Sequence, residues 1–281
     1  MAWVLVPVVV REPGGYVAGL EREDFQLTVR GEPVDIASFD AELDSPVSLV
    51  WLQDLSGSMG NGDKLDASRA AFHYFLNRLR PQDGFAVATF GNARLSVDVP
   101  FTDDLTTLEE AMDTWEGYGV TTLYDAVAWL PEISAEGKNR KRAVVLVTDG
   151  ADNASSMDPA AARLLVREAR LPVYVLGLGS GDPNDWEARD EDTYRYAHLL
   201  ELLARATGGR FHRAQTPTEA VSVAASIHDQ IRHQYVLGFP ARADGPRRYQ
   251  RIEVTVAGHP QAQVLHRHGY RGGLPVVGDG G

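Results

Sequence analysis

At 281 residues, 44% of them hydrophobic and 23% charged, the chain is long enough for one large α/β unit, or for a medium unit with a small companion. A formal net charge of -12 argues against nucleic acid or an anionic membrane surface as partner, because both demand clustered Lys and Arg; cations and cation-bearing proteins remain. The absence of cysteine excludes disulfides, zinc-thiolate sites and thiol nucleophiles together, without fixing a compartment.

The opening MAWVLVPVVV is apolar but lacks a basic leading region, and Pro7 with Arg11 limits it to strand length, so neither a signal peptide nor a membrane-spanning helix is expected there. Up to Phe39 the chain carries short runs, WVLVPVVV, FQLTV and VDIASF, separated by the turn-like EPGGYVAG and RGEP, which is β punctuation without a helical period. From Ser48 strand-like runs alternate with amphipathic segments, the pattern of a doubly wound sheet. Ser48 to Gln53 reads as a buried central strand. A helix starting near Asp63 turns Leu65, Ser68, Ala71, Phe72, Phe75, Leu76 and Leu79 inward and stops before Pro81. Phe85 to Phe90 and Leu95 to Val99 follow as strands joined at Gly91-Asn92, the second of them an edge. Helices are expected at Thr106 to Trp115 and Thr122 to Leu130, with a break at Gly117 to Gly119. Ala143 to Val147 is the next buried strand and runs out into Thr148-Asp149-Gly150. A helix Pro159 to Arg170 capped by Asp158, a strand Val173 to Leu178, a helix Thr193 to Ala206, a short strand Arg210 to His212 and a last helix Pro217 to Arg232 complete the unit. The pattern then reverts to β at Gln234 to Phe239, Gln250 to Val256 and Ala262 to His266.

The expected fold class is therefore α/β: a doubly wound, mostly parallel six-stranded sheet with helices on both faces, over residues 45–232. Residues 1–44 and 233–272 are expected to build one discontinuous β domain, since two separate pieces of that size would struggle to bury a core, and 273–281 form a flexible tail.

Three loops emerge at one edge of this sheet: Asp54 to Met59, Gly119 to Asp125 and Thr148 to Asn153. They offer Asp54, Ser56, Ser58, Thr121 and Asp149, all oxygen donors, and hard oxygen donors select Mg2+, with Mn2+ or Ca2+ as alternatives. Two carboxylates about neutralise a divalent ion and leave it receptive to one more anionic ligand, for which a partner's carboxylate is the natural candidate. A lone Asp-x-Ser-x-Ser would read more readily as a helix cap; the two further donors on matching loops favour a metal. Asp125 suits a structural place in the first turn of its helix, and Asp152 with Asn153 borders the loop edge as binding or merely solvated residues. Asp182, Asp185, Glu187, Asp190, Glu191 and Asp192 lack calcium-loop spacing and read as a charged surface. Catalysis is disfavoured. Neither Ser56 nor Ser58 has a glycine two residues before it, as a nucleophile elbow requires, Ser56 stands where an aspartyl phosphotransferase would carry its second Asp, and no Gly-rich phosphate loop with Lys follows the first strand.

The run DLSGSM, the Thr of GVTTLYDA and the Asp of LVTDG resemble the metal-ion-dependent adhesion site of von Willebrand factor type A domains. That family's pattern falls on Asp54, Ser56, Ser58, Thr121 and Asp149, with the adjacent Thr122 as the alternative to Thr121. The resemblance implies serine and threonine hydroxyls on the ion, aspartates acting often through water, and an Asp or Glu from a protein partner completing the coordination. It also implies that a shift of the last helix, Pro217 to Arg232, is linked to the state of the metal. Both flanks resemble bacterial von Willebrand factor A-related proteins, abundant in acidobacteria and usually exported, which implies an envelope or secreted location. The expected function is cation-dependent protein binding, in adhesion or assembly, without membrane insertion. A metal-independent scaffold pairing through its β flank is the alternative, and a metal-dependent hydrolase a weaker one.

Overall fold

A computed structural model of the chain describes residues 3–91, 94–150, 152–157, 161, 171–179, 191–241 and 249–271. The N-terminal flank supplies β1 (Trp3–Glu12), β2 (Gly15–Tyr16), β3 (Phe25–Val29), β4 (Glu32–Pro33) and β5 (Ser38–Asp40). The middle of the chain supplies β6 (Val47–Asp54), α1 (Lys64–Leu76), β7 (Gly84–Gly91), β8 (Arg94–Thr102), α2 (Leu105–Asp113), α3 (Leu123–Ala135), β9 (Lys141–Thr148), β10 (Val173–Leu178), α4 (Glu191–Thr207), β11 (Phe211–Ala214) and α5 (Pro217–Arg232). The C-terminal flank returns with β12 (Tyr235–Pro240), β13 (Tyr249–Val256), β14 (Gln263–His266) and β15 (Gly269–Arg271).

The middle strands form a six-stranded sheet in the order β11-β10-β9-β6-β7-β8, parallel except for β8, which lies antiparallel at the edge. All eight residues of β6 are buried, because its side chains alternate between two helix-covered faces. Leu49 and Trp51 point to the face covered by α1 and α5, where the Trp51 ring meets Phe72 at 5.1 Å and Phe75 at 5.7 Å edge-on. Val50 and Leu52 point to the other face, against Leu123, Val127 and Leu130 of α3 and Leu200 and Leu203 of α4. The functional edge of the sheet is thus held from both sides.

The flanks interleave. One antiparallel sheet runs β14-β1-β12-β5 with β2 beside β1, and another runs β15-β13-β3-β4, so each sheet draws strands from both ends of the chain. A single core that includes Val6, Val8, Leu27, Leu237, Phe239 and Ile252 lies between them. Entry to and exit from the α/β unit are fastened at one buried group. Asp83 accepts the amide of Val47 at 2.8 Å and pairs with the guanidinium of Arg232, while Lys141 Nζ donates to the carbonyls of Glu42 at 2.5 Å and Arg232 at 3.3 Å. Burial pulls the Lys141 ammonium below its ordinary pKa. Among the described residues no helix is long and apolar enough to cross a membrane.

Some elements differ from expectation. The helix expected to stop at Leu130 continues through Pro131 to Ala135, because Ile133 and Ser134 are buried and that packing outweighs the one hydrogen bond proline cannot donate. Of VDIASF only Ser38 and Phe39 enter a strand. Val34 donates to Leu27 in one sheet and Ala37 to Gly238 in the other, each near 2.9 Å, so the segment bridges the two sheets instead of extending either. The expected helix Pro159 to Arg170 with its Asp158 cap, the Asn92 turn, the acidic stretch 182–190 and the tail 273–281 lie outside the described residues.

Candidate metal centre

The site grows from the carboxyl end of β6. Gln53 is fully buried: its Oε1 accepts Trp51 Nε1 at 3.1 Å and Ser68 Oγ at 2.5 Å, and its Nε2 donates to the Asp54 carbonyl at 2.8 Å. The strand end is thereby fixed to α1 before the loop begins. Asp54, also fully buried, accepts the Ser56 amide at 2.8 Å on Oδ1 and the Thr148 hydroxyl at 2.5 Å on Oδ2. Burial pushes its pKa up to about 6; the hydrogen bonds from Thr148 and Ser56 oppose that rise, and the neighbouring Asp149 charge adds to it. The Ser56 and Ser58 hydroxyls lie 3.2 Å apart at the start of a single 3-10 turn, Gly57–Gly60.

The second loop is stitched to the first through backbone. Tyr118 N donates to Leu55 O at 2.8 Å and Gly57 N to Gly119 O at 2.9 Å. Gly117 passes so close to Gly60 that a Cβ would sit 2.3 Å from the Gly60 nitrogen, and Gly119 has φ +78°, a left-handed conformation suited to glycine. Thr121 and Thr122 are both buried, the latter at the N-terminal boundary of α3. The Thr121 amide donates to Asn153 Oδ1 at 2.9 Å, and its carbonyl accepts the amides of Asn153 at 3.2 Å and Ala154 at 3.0 Å.

The third contributor is Asp149, one residue beyond β9. Its Oδ2 accepts Lys64 Nζ at 2.7 Å, and Lys64 Nζ also donates to the Ser58 carbonyl at 3.1 Å, so one ammonium bridges two of the loops. Asp149 Oδ1 is buried and has no hydrogen-bond partner among the described residues. Asp54 at the last position of β6, and Ser56, Ser58, Thr121 and Asp149 on the loops, therefore stand at the carboxyl edge of the parallel strands β6 and β9. Among the described residues no group of three or more His, Asp or Glu is placed to hold an ion; the donors here are mostly hydroxyls.

Asp125 accepts the amides of Ser156 at 2.9 Å and Met157 at 3.1 Å from the first turn of α3, which is structural work. Asp152 is buried and binds the Tyr124 amide at 3.0 Å and the Ser155 hydroxyl at 2.6 Å, so it braces α3 instead of bordering solvent. Lys64 and Thr148 are the contributors that sequence reasoning missed. Lys64 left one trace: a cation on the first residue of a helix runs against the macrodipole and calls for an acid nearby.

Residues 49–151 match the family model described as von Willebrand factor type A domain. The chain is 26% identical over 202 residues to inter-alpha-trypsin inhibitor heavy chain H1 of Bos taurus, a match covering 66% of this chain and 20% of that protein. It spans between 20% and 34% of the length of the curated relatives it matches. Among solved structures, von Willebrand factor type A from Catenulispora acidiphila superposes with a TM-score of 0.56 at 14% identity, over 89% of this chain and 73% of that one. The vWF domain of the type V pili tip protein Mfa5 from Porphyromonas gingivalis gives 0.53 at 14% identity, over 66% of this chain and 95% of that one. The matched segment runs from β6 into the third loop, and the likeness to these solved structures shows that the chain has their fold.

Proposed function

We propose that the chain is a divalent-cation-dependent protein-binding module, in which Asp54, Ser56, Ser58, Thr121 and Asp149 hold one ion that accepts an Asp or Glu of a protein partner. The observation that carries this reading is Asp149 Oδ1, a buried carboxylate oxygen without a partner among the described residues, on a loop beside a close pair of serine hydroxyls. An unsatisfied buried acceptor is costly, and an ion or an ion-bound water would satisfy it. The donor set is hard and poor in carboxylates, which suits Mg2+ first and Mn2+ or Ca2+ second. Bound there, the ion supplies a Lewis-acidic position for an anionic oxygen. The chain's own groups orient the donors: Thr148 holds Asp54, Asn153 holds the Thr121 backbone, and Gly57 and Gly119 hold two loops in register. The names of the pilus tip protein and the inhibitor heavy chain support a binding role, in adhesion or assembly and outside the cytoplasm, over a catalytic one.

Calorimetric titration with Mg2+ or Mn2+ tests the reading. The wild type is expected to bind one ion, and Asp54→Ala to lose affinity by about 10–100-fold, as when a group that backs a metal's direct ligands is removed. An equal response from the two proteins overturns it.

A further inference from the structure

The Lys64 ammonium is part of the site, and it changes the charge of what the site becomes. It sits 2.7 Å from Asp149 Oδ2 and 3.1 Å from the Ser58 carbonyl, with its side chain 27% exposed and that of Asp149 7% exposed. It is therefore a charge-assisted contact largely withdrawn from water, where charges act more strongly than on an open surface. Lys64 uses one oxygen of Asp149 and leaves the other, Oδ1, without a partner among the described residues. An incoming ion can thus draw on Asp149 while the lysine stays in place.

We infer that Lys64 is a built-in cation that weakens ion binding and selects the partner. This inference rests on the proposed metal reading. Asp54 and Asp149 about cancel a divalent ion, so with Lys64 beside them the loaded site carries one net positive charge instead of none. Two consequences follow from the same charge. The ion meets a repelling neighbour and an Asp149 whose electron density is already shared, so its affinity is lower than the donor set alone would give. The loaded site, being positive, favours a carboxylate over a neutral carbonyl or hydroxyl as the ligand that completes it.

The experiment uses the full chain with Mn2+ and acetate as probes. Calorimetry gives the Mn2+ affinity of wild type, Lys64→Met and Lys64→Arg, and water-proton relaxation of the Mn2+-loaded proteins reports acetate replacing a metal-bound water. Lys64→Met keeps the aliphatic reach and drops the charge; it is expected to bind Mn2+ about tenfold tighter and acetate several-fold more weakly. Lys64→Arg keeps the charge and should follow the wild type in both. The inference is overturned if Lys64→Met binds Mn2+ no tighter or takes acetate as readily, or if Lys64→Arg behaves like Lys64→Met, which would make packing the cause. Silence of all three proteins toward Mn2+ overturns the metal reading itself, and the inference with it.

Discussion

Gly117 shows how little freedom single positions have around the loops of the candidate site. A methyl group there would lie 2.3 Å from the Gly60 nitrogen and 2.6 Å from its Cα, both backbone atoms that cannot turn aside. Gly117→Ala must therefore push the Gly117 to Thr121 loop away from the 3-10 turn that carries Ser58. The expected cost is about 1–3 kcal/mol of stability, as for other overpacked sites. Because the displaced loop leads to Thr121, Mn2+ affinity should fall along with the melting temperature; an unchanged melting curve would show that the two loops are not in register. From sequence Gly117 reads as a helix break, which it is, but the close approach that demands glycine appears only when Gly60 stands opposite. The ends of β6 at Asp54 and of β9 at Thr148 were legible to within a residue or so, since an apolar run stops there. Lys64 was not legible as part of the site, because its partner lies 85 residues away.

Elements with strong local signals fall where their signals put them. Helix α5 starts at Pro217, behind a Thr216 cap whose hydroxyl accepts the Glu219 amide at 3.2 Å, and buries Ala220, Ala224, Ile227 and Ile231 on one stripe. The same face carries Gln230, whose Nε2 donates to His212 Nε2 at 3.2 Å on β11, a bond that needs a neutral ring. Burial, with Arg210 and Arg11 nearby, lowers the His212 pKa to about 4 from an ordinary value near 6.5. A folded-state pKa below the unfolded one means that the neutral ring stabilises the fold fully above pH 6.5. That contribution is lost as the pH falls from 6.5 to about 4. Allowing for the partial exposure of the ring, the loss is about 1–2 kcal/mol. Melting temperatures measured across this range should decline more steeply for the wild type than for His212→Gln; parallel curves would remove His212 from the acid response. Helix α3 shows the opposite case, since a proline signal was overruled by burial.

At the scale of the molecule, the α/β unit and the β flanks are joined where the chain crosses between them. Asp83 binds the amide of Val47, the amide of Arg80 at 2.9 Å and the Arg232 guanidinium, so the incoming and outgoing segments meet on one carboxylate. A buried pair of this kind adds little compared with an apolar substitute, but breaking it on one side strands a charge. Arg232→Met is expected to cost about 3–5 kcal/mol in urea denaturation. Asp83→Asn combined with Arg232→Met, which removes the stranded charge and keeps an oxygen for the Val47 amide, should recover part of it, and a loss under about 1 kcal/mol for the single variant would show that the pair does not fasten the junction. Among the described residues no helix is long and apolar enough to cross a membrane, and the helices pack on the six-stranded sheet.

By itself the sequence determined the class of fold: a two-sided apolar β6, amphipathic helices between short strands, and β punctuation on both flanks, each a short-range pattern that residue spacing encodes. It also determined which side-chain types end the strands at one edge. The tertiary structure decided what meets what. It set Lys64 on Asp149, Arg232 on Asp83 across 149 residues, Gly117 against Gly60, and the Val34 to Ala37 segment between two sheets. Those pairings follow from strand order and crossover, and strand order is a property of the packed whole that no local period carries.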